Sequence, residues 1–216
     1  MKNKAVIFDM DGTLLNTLQD IGEAANKALI ANGLPQHPLE KYNYFVGEGV
    51  RKLFEYALPP DITDHKILEK CIDSFVEEYD KQWNNNTQLY PGISGMLDKL
   101  TELGIKLSIL SNKPHEFVTQ CADLYLKKWK FEEVMGPGEL IPRKPDPAGA
   151  LLIAKRMNIS VSEILYVGDT GIDMVTANSA KMRAIGVLWG FRSKEELLGT
   201  GARFVIEKPE QLIEYL

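Results

Sequence analysis

Cysteine is nearly absent. Cys71 and Cys121 are the only two, which excludes a disulfide framework, and neither lies in a CxxC pair. A reducing, cytoplasmic setting is the expectation. Long apolar runs are missing as well. Nothing approaches the roughly 20 residues that cross a bilayer. The start, Met1-Lys2-Asn3-Lys4, reaches Asp9 after one short apolar run, too soon for a signal peptide. Positive charge is not in excess: 25 Lys and Arg face 30 Asp and Glu, a net charge of -5, so no basic surface is expected to collect nucleic acid. Histidine is sparse, and His37, His65 and His115 show no metal-ligand spacing. What remains is 216 residues, 44% hydrophobic and 25% charged, the proportions of a globular chain able to bury a core.

Short aliphatic runs alternate with helix-period segments, and this alternation predicts an α/β fold with a doubly wound parallel sheet covered on both faces. The expected strands are Ala5 to Phe8, Lys106 to Leu110, Glu133 to Met135, Ile164 to Val167, Ala184 to Val187 and Phe204 to Ile206. Ile93 to Leu103, closed by Gly104, and Ala148 to Met157, preceded by Pro147, carry helix punctuation. Between Leu14 and Leu103 no strand is expected, and the stretch is too long for one crossover. Three apolar stripes at helical spacing, Leu18 to Leu29, Val50 to Ala57 and Ile67 to Tyr79, predict an inserted helical bundle over 17–82. The core is then 1–16 and 83–216, reached through flexible polar joints that include Asn84 to Thr87.

Four segments carry chemistry. The run Val6-Ile7-Phe8 delivers Asp9 and Asp11 to the carboxyl end of a strand, where open α/β sheets bind ligands. Alternation puts both carboxylates on one side, and Gly12 lets the backbone turn away. At about 4 Å two such anions repel by roughly 4 kcal/mol at an effective dielectric of 20, so a cation, a shared proton or solvent is required. A divalent metal is the economical answer. Ile164 to Gly168 runs into Asp169 and Asp173, whose alternatives are a helix cap and a dipole partner. Ser111-Asn112-Lys113 follows the second core strand, where a hydroxyl and an amide suit phosphate oxygens or an ordinary cap. Lys144, stiffened by Pro145 and Pro147, could balance an acidic cluster.

The ordered set Asp9-x-Asp11-Gly-Thr, Ser111-Asn112, Lys144-Pro-x-Pro and Gly168-Asp169-x-x-x-Asp173 resembles the haloacid dehalogenase superfamily, and more closely its phosphoglycolate phosphatase-like branch with a helical cap. The likeness spans nearly the whole chain. It implies a Rossmann-like core and a Mg²⁺-dependent phosphatase acting on a small phosphate ester, with 2-phosphoglycolate as the suggested substrate class. Asp9 would be the nucleophile and Asp11 the general acid and base. Gly12, Ser111, Asn112 and Lys144 would hold the phosphoryl group. Asp9, Asp11 through its backbone carbonyl, Asp169 and, in support, Asp173 would hold the metal.

Substrate choice is expected in the cap, where Gly47, Gly49 and Arg51 are the candidates to touch the leaving group; Arg51 and Lys52 have an alternative as the wet face of a helix. Within the same scaffold the alternatives are a pyrophosphatase, a sugar-phosphate or nucleotide phosphatase, and a β-phosphoglucomutase-like phosphotransferase. From a different class, a receiver-like phospho-accepting module shares the acidic sheet edge. Asn16 departs from the family, which commonly has Asp there. A monomer or weak homodimer, with no nucleic-acid or membrane partner, completes the expectation.

Overall fold

The computed structural model describes residues 3–138 and 141–216. In chain order its strands are β1 (Ala5–Phe8), β2 (Leu15–Asn16), β3 (Gln88–Leu89), β4 (Lys106–Leu110), β5 (Phe131–Met135), β6 (Ile164–Gly168), β7 (Arg183–Val187) and β8 (Phe204–Ile206). The helices are α1 (Leu18–Ala31), α2 (Tyr42–Phe45), α3 (Val50–Ala57), α4 (His65–Gln82), α5 (Ile93–Glu102), α6 (His115–Cys121), α7 (Ala148–Met157), α8 (Gly171–Ser179) and α9 (Lys194–Gly199).

Six strands form one sheet in the order β5-β4-β1-β6-β7-β8, every pairing parallel. β1 shows why the sheet is covered twice. Ala5 and Ile7 face Ala150, Ile153 and Met174 of α7 and α8, while Val6 and Phe8 face Ile93, Leu97 and Val118 of α5 and α6. The period of two sends successive side chains to opposite layers, so a strand buried on both sides must be apolar throughout. From β1 the chain builds β4 and β5 to one side, then crosses back to build β6, β7 and β8 on the other. That reversal opens a crevice at the carboxyl ends of β1, β4 and β6.

Helices α1 to α4 lie between β1 and β4 in sequence and have their own apolar cluster, in which Ala24, Ala28 and Leu29 of α1 pack with Leu53 and Phe54 of α3 and Cys71 and Phe75 of α4. Phe117 and Phe191, from the sheet layers, join this cluster and seat it over the crevice. Both cysteines are buried and unpaired.

Two local expectations need correction. Leu14 to Leu103 is not free of strands: β2 and β3 pair antiparallel, Leu15 with Leu89 and Asn16 with Gln88. Two-residue strands are too short to display an alternating pattern. The returning joint is also not loose. The buried carboxylate of Asp20 on α1 accepts from the backbone N–H and side-chain amide of Asn86 and from the N–H and hydroxyl of Thr87, all at 2.7–3.0 Å. A polar string reads as flexible until the acceptor that ties it is brought in from elsewhere in the chain. Among the described residues, no helix is long and apolar enough to cross a membrane.

Candidate active site

Three parallel strands end at the same level, and the residue after each enters the crevice. Asp9 follows β1, Ser111 follows β4 and Asp169 follows β6. Asp9 continues the ladder, its N–H donating to the Val167 carbonyl at 2.9 Å. Its Oδ1 accepts from the Met10 N–H at 2.7 Å and faces the Lys144 ammonium at 2.9 Å. No donor among the described residues reaches Oδ2. Lys144 also donates to Asp173 Oδ1 at 2.7 Å, so a single buried ammonium spans two carboxylates.

Asp173 lies in the first turn of α8, the dipole position open to it from sequence. Its Oδ2 accepts from the N–H and hydroxyl of Thr170, completing a capping box at the start of α8, while Oδ1 holds Lys144. The cap residue is therefore Thr170, which releases Asp169 to other partners. Asp169 accepts from the Thr13 hydroxyl and the Phe191 N–H, each at 2.9 Å. The backbone turns needed here leave no space. At Gly12, with φ at 83°, a Cβ would stand 2.2 Å from Asp169 Oδ2, and at Gly190 it would stand 2.3 Å from the Gly12 carbonyl oxygen.

One oxygen each from Asp9, Asp169 and Asp173 lies within 4.8 Å of the others. Pairs at that spacing repel by about 3.5 kcal/mol at an effective dielectric of 20. Three carboxylates against one ammonium leave two negative charges uncompensated, and the titration behaviour reflects it. Burial, then the charge of Asp173, pushes Asp9 well above the ordinary carboxylate range, against the pull of Lys144. The same two causes raise Asp169 to about 7. Lys144 pays a burial penalty, yet Asp173 and Asp9 hold it firmly protonated. Hard oxygen donors with a charge deficit of two fit a divalent cation such as magnesium.

The Asp11 side chain stands outside that trio. Its two oxygens lie 3.1 and 3.4 Å from the Lys113 ammonium, which also donates to the Tyr79 hydroxyl of α4 at 2.6 Å. Burial disfavours the Lys113 charge, but Asp11 and then Tyr79 more than offset it and leave its pKa raised. Neither residue has a role in the sequence reading. Lys113 had a visible signal, since it directly follows Ser111-Asn112; Tyr79 had none, being one position of an apolar stripe.

Asp9, Asp11, Ser111, Asn112 and Lys113 line a cavity whose opposite wall is Ile21, Val46, Val50, Leu53 and Phe75, with Gly47 and Gly49 at the edge. The Ser111 hydroxyl accepts from the Lys113 N–H at 3.2 Å. The Asn112 amide is occupied: its Nδ2 donates to the carbonyls of Gly47 and Lys144, and its Oδ1 accepts from the Lys144 N–H. Its side chain thus orients the lysine loop and tethers the helical insertion instead of pointing a free donor at the cavity. Gly12 contributes by conformation, its N–H donating to the Leu15 carbonyl. Arg51 lies outside the lining of this cavity. It points outward to Glu69 at 2.5 Å, and Lys52 pairs with Glu55. α3 buries Leu53, Phe54 and Ala57, so helical periodicity turns positions 51 and 52 to solvent. Arg192 was unforeseen; it donates to the Val46 carbonyl at 3.0 Å, a second tether on the loop that Asn112 holds.

The chain matches the haloacid dehalogenase-like hydrolase family over residues 6–187. It is similar to a phosphoglycolate phosphatase of Psychrobacter arcticus, at 29% identity over 222 aligned positions covering 100% of this chain and 96% of that protein. A phosphoglycolate phosphatase of Xanthomonas campestris pv. campestris is 31% identical, covering 98% of this chain and 95% of that one. The crystal structure of a candidate phosphoglycolate phosphatase from Lactobacillus delbrueckii subsp. bulgaricus superposes with a TM-score of 0.92 at 30% identity, covering 100% and 98% of the two chains.

Proposed function

Because the chain belongs to the haloacid dehalogenase-like hydrolase family, we propose that it is a magnesium-dependent phosphatase that cleaves a small phosphate monoester through a phosphoryl group carried on Asp9. The observation that carries this reading is the asymmetry of Asp9. Asp9 lines the cavity; one of its oxygens is fixed by the Met10 N–H and Lys144, and the other meets no donor among the described residues. A carboxylate held by one oxygen presents the second in a fixed direction, which is what an in-line attack on phosphorus requires.

In the first step Asp9 Oδ2 forms a bond to phosphorus and the ester oxygen departs, taking a proton from Asp11. In the second, water attacks the phosphoryl group, Asp11 accepts its proton, and inorganic phosphate leaves with Asp9 restored. Ser111 lies beside Asp9 on the cavity wall, suited to a phosphoryl oxygen. Lys144 balances charge on Asp9 as phosphate arrives. The metal would be held by Asp9, Asp169 and the Asp11 backbone carbonyl, with Asp173 in support, and would supply charge compensation between carboxylates and phosphate. The helical insertion serves as a cap over 17–82, excluding bulk water from the phosphorylated aspartate.

The names of the relatives make 2-phosphoglycolate the first substrate to try. Purified protein should release phosphate from it or from another member of a small monoester panel with Mg²⁺, lose the activity with a chelator, and lose it in Asp9→Asn. Acid quenching during turnover should leave a phosphoryl adduct on the peptide containing Asp9. Full turnover by Asp9→Asn would end the nucleophile assignment.

A further inference from the structure

The contact between α4 and the sheet edge is a polar chain within an apolar seam. Phe54, Phe75, Tyr79 and Phe117 form a continuous aromatic series, with successive ring centroids 5.8, 5.3 and 4.9 Å apart. Tyr79 is stacked on Phe75 and edge-on to Phe117, so its ring has one orientation and its hydroxyl one position. That hydroxyl accepts from Lys113, and Lys113 reaches both oxygens of Asp11. Tyr79 belongs to the helical insertion, Lys113 to the loop after β4 and Asp11 to the loop after β1. The side chains of Tyr79 and Lys113 are buried and that of Asp11 is 12% exposed, so water competes weakly for these bonds.

We propose that Lys113 and Tyr79 are positioning residues for Asp11: Lys113 holds the Asp11 carboxylate at two points, and Tyr79 fixes Lys113, so that seating α4 on the sheet edge is what aims Asp11 at the ester oxygen. The inference rests on the acid–base role of Asp11 in the phosphatase reading. Lysine's ammonium sits on a flexible stem of four methylenes and has no orientation of its own. A second anchor is needed to make it a fixed support, and the only one that the described residues offer comes from the insertion. The chain Tyr79–Lys113–Asp11 therefore links cover and chemistry. A phosphorylated Asp9 under a displaced cover would face water while Asp11 had lost its support.

Leaving groups separate this role from a merely structural one. An alkyl phosphate needs a proton on its departing oxygen, whereas p-nitrophenolate departs without one. Asp11→Asn serves as the reference and should lose about 10²-fold or more in the single-turnover rate of alcohol release from an alkyl phosphate, in the range of general acid catalysis, with a much smaller loss in nitrophenolate release from p-nitrophenyl phosphate. The release step is read because the second step needs Asp11 as base whichever ester was cleaved. Tyr79→Phe, which keeps the ring, should lose about tenfold in the single-turnover release rate on the alkyl phosphate and under about twofold on the nitrophenyl ester. Lys113→Met should show the same selectivity more strongly, and Lys113→Arg should recover part of it. Adding Tyr79→Phe to Lys113→Met should cost nothing more, since the two act in series. Equal losses on both esters in Tyr79→Phe and Lys113→Met, with Asp11→Asn still selective, would overturn the positioning role. Equal losses of release rate in Asp11→Asn itself would remove the general-acid assignment, and this inference with it.

Discussion

Gly12 carries three constraints at once. Its positive φ turns the chain after Asp11, its N–H closes on Leu15, and its missing Cβ leaves room for Asp169. Gly12→Ala should therefore displace Asp169 as well as strain the turn, with an expected stability loss of about 2 kcal/mol or more and loss of Mg²⁺ response, readable by urea unfolding with and without the ion. Arg51 offers the opposite expectation. Its exposed pair with Glu69 contributes little to stability, and it does not line the cavity, so Arg51→Ala should leave kcat/KM within about twofold of the parent. A tenfold loss would mean that the helix turns during turnover. Residue identity at both positions is plain in the sequence. What is not plain is direction, because Gly12 acts on a carboxylate that arrives from far along the chain and Arg51 is turned by the packing of its helix.

Asp20 governs the joints at the scale of elements. It lies at the start of α1 and gathers the backbone of Asn86 and Thr87, so the segments entering and leaving the helical insertion are tied to one carboxylate. The β2–β3 pairing lies beside the same joints. Asp20→Ala would strand several buried donors of this clamp. The expected loss is about 2–4 kcal/mol, since each charge-assisted bond contributes about 1.5–3 kcal/mol and the bonds are not additive. Denaturant unfolding measures it, and a loss under about 1 kcal/mol would show that water replaces the carboxylate. The helices themselves were legible, since α1, α3 and α4 each carry an apolar stripe. The clamp was not, because its partners are separated by more than sixty residues.

Charge balance belongs to the whole molecule. Asp169, with a pKa raised from 3.8 to about 7, binds its proton more tightly in the folded chain than in the unfolded one. The resulting stability is complete below the unfolded value and is lost as pH rises through about 7. Asp9 shifts in the same direction. The metal-free protein should therefore melt lower at about pH 8 than at about pH 5.5, with this cluster opposing stability at the higher value. Mg²⁺ should raise the melting temperature at about pH 8 and do little at about pH 5.5, where protons compete for the same oxygens. Scanning calorimetry with chelator and with Mg²⁺ checks this. An equal Mg²⁺ gain at both values would place the ion away from the buried carboxylates.

Sequence alone determined the six strands of the main sheet, the three helical stripes and the four motifs, because each is written in neighbouring residues whose periodicity or punctuation is local. Asp9, Ser111, Lys144 and Asp169 were identifiable as candidates since each follows an apolar strand or sits between prolines. Only the folded chain decided which groups meet: Lys144 between Asp9 and Asp173, Asn112 tethering Gly47, Arg51 turned outward, and Tyr79 reaching Asp11 through Lys113. Those partners come from separate elements, so their contacts depend on sheet order and helix rotation, which no local pattern encodes.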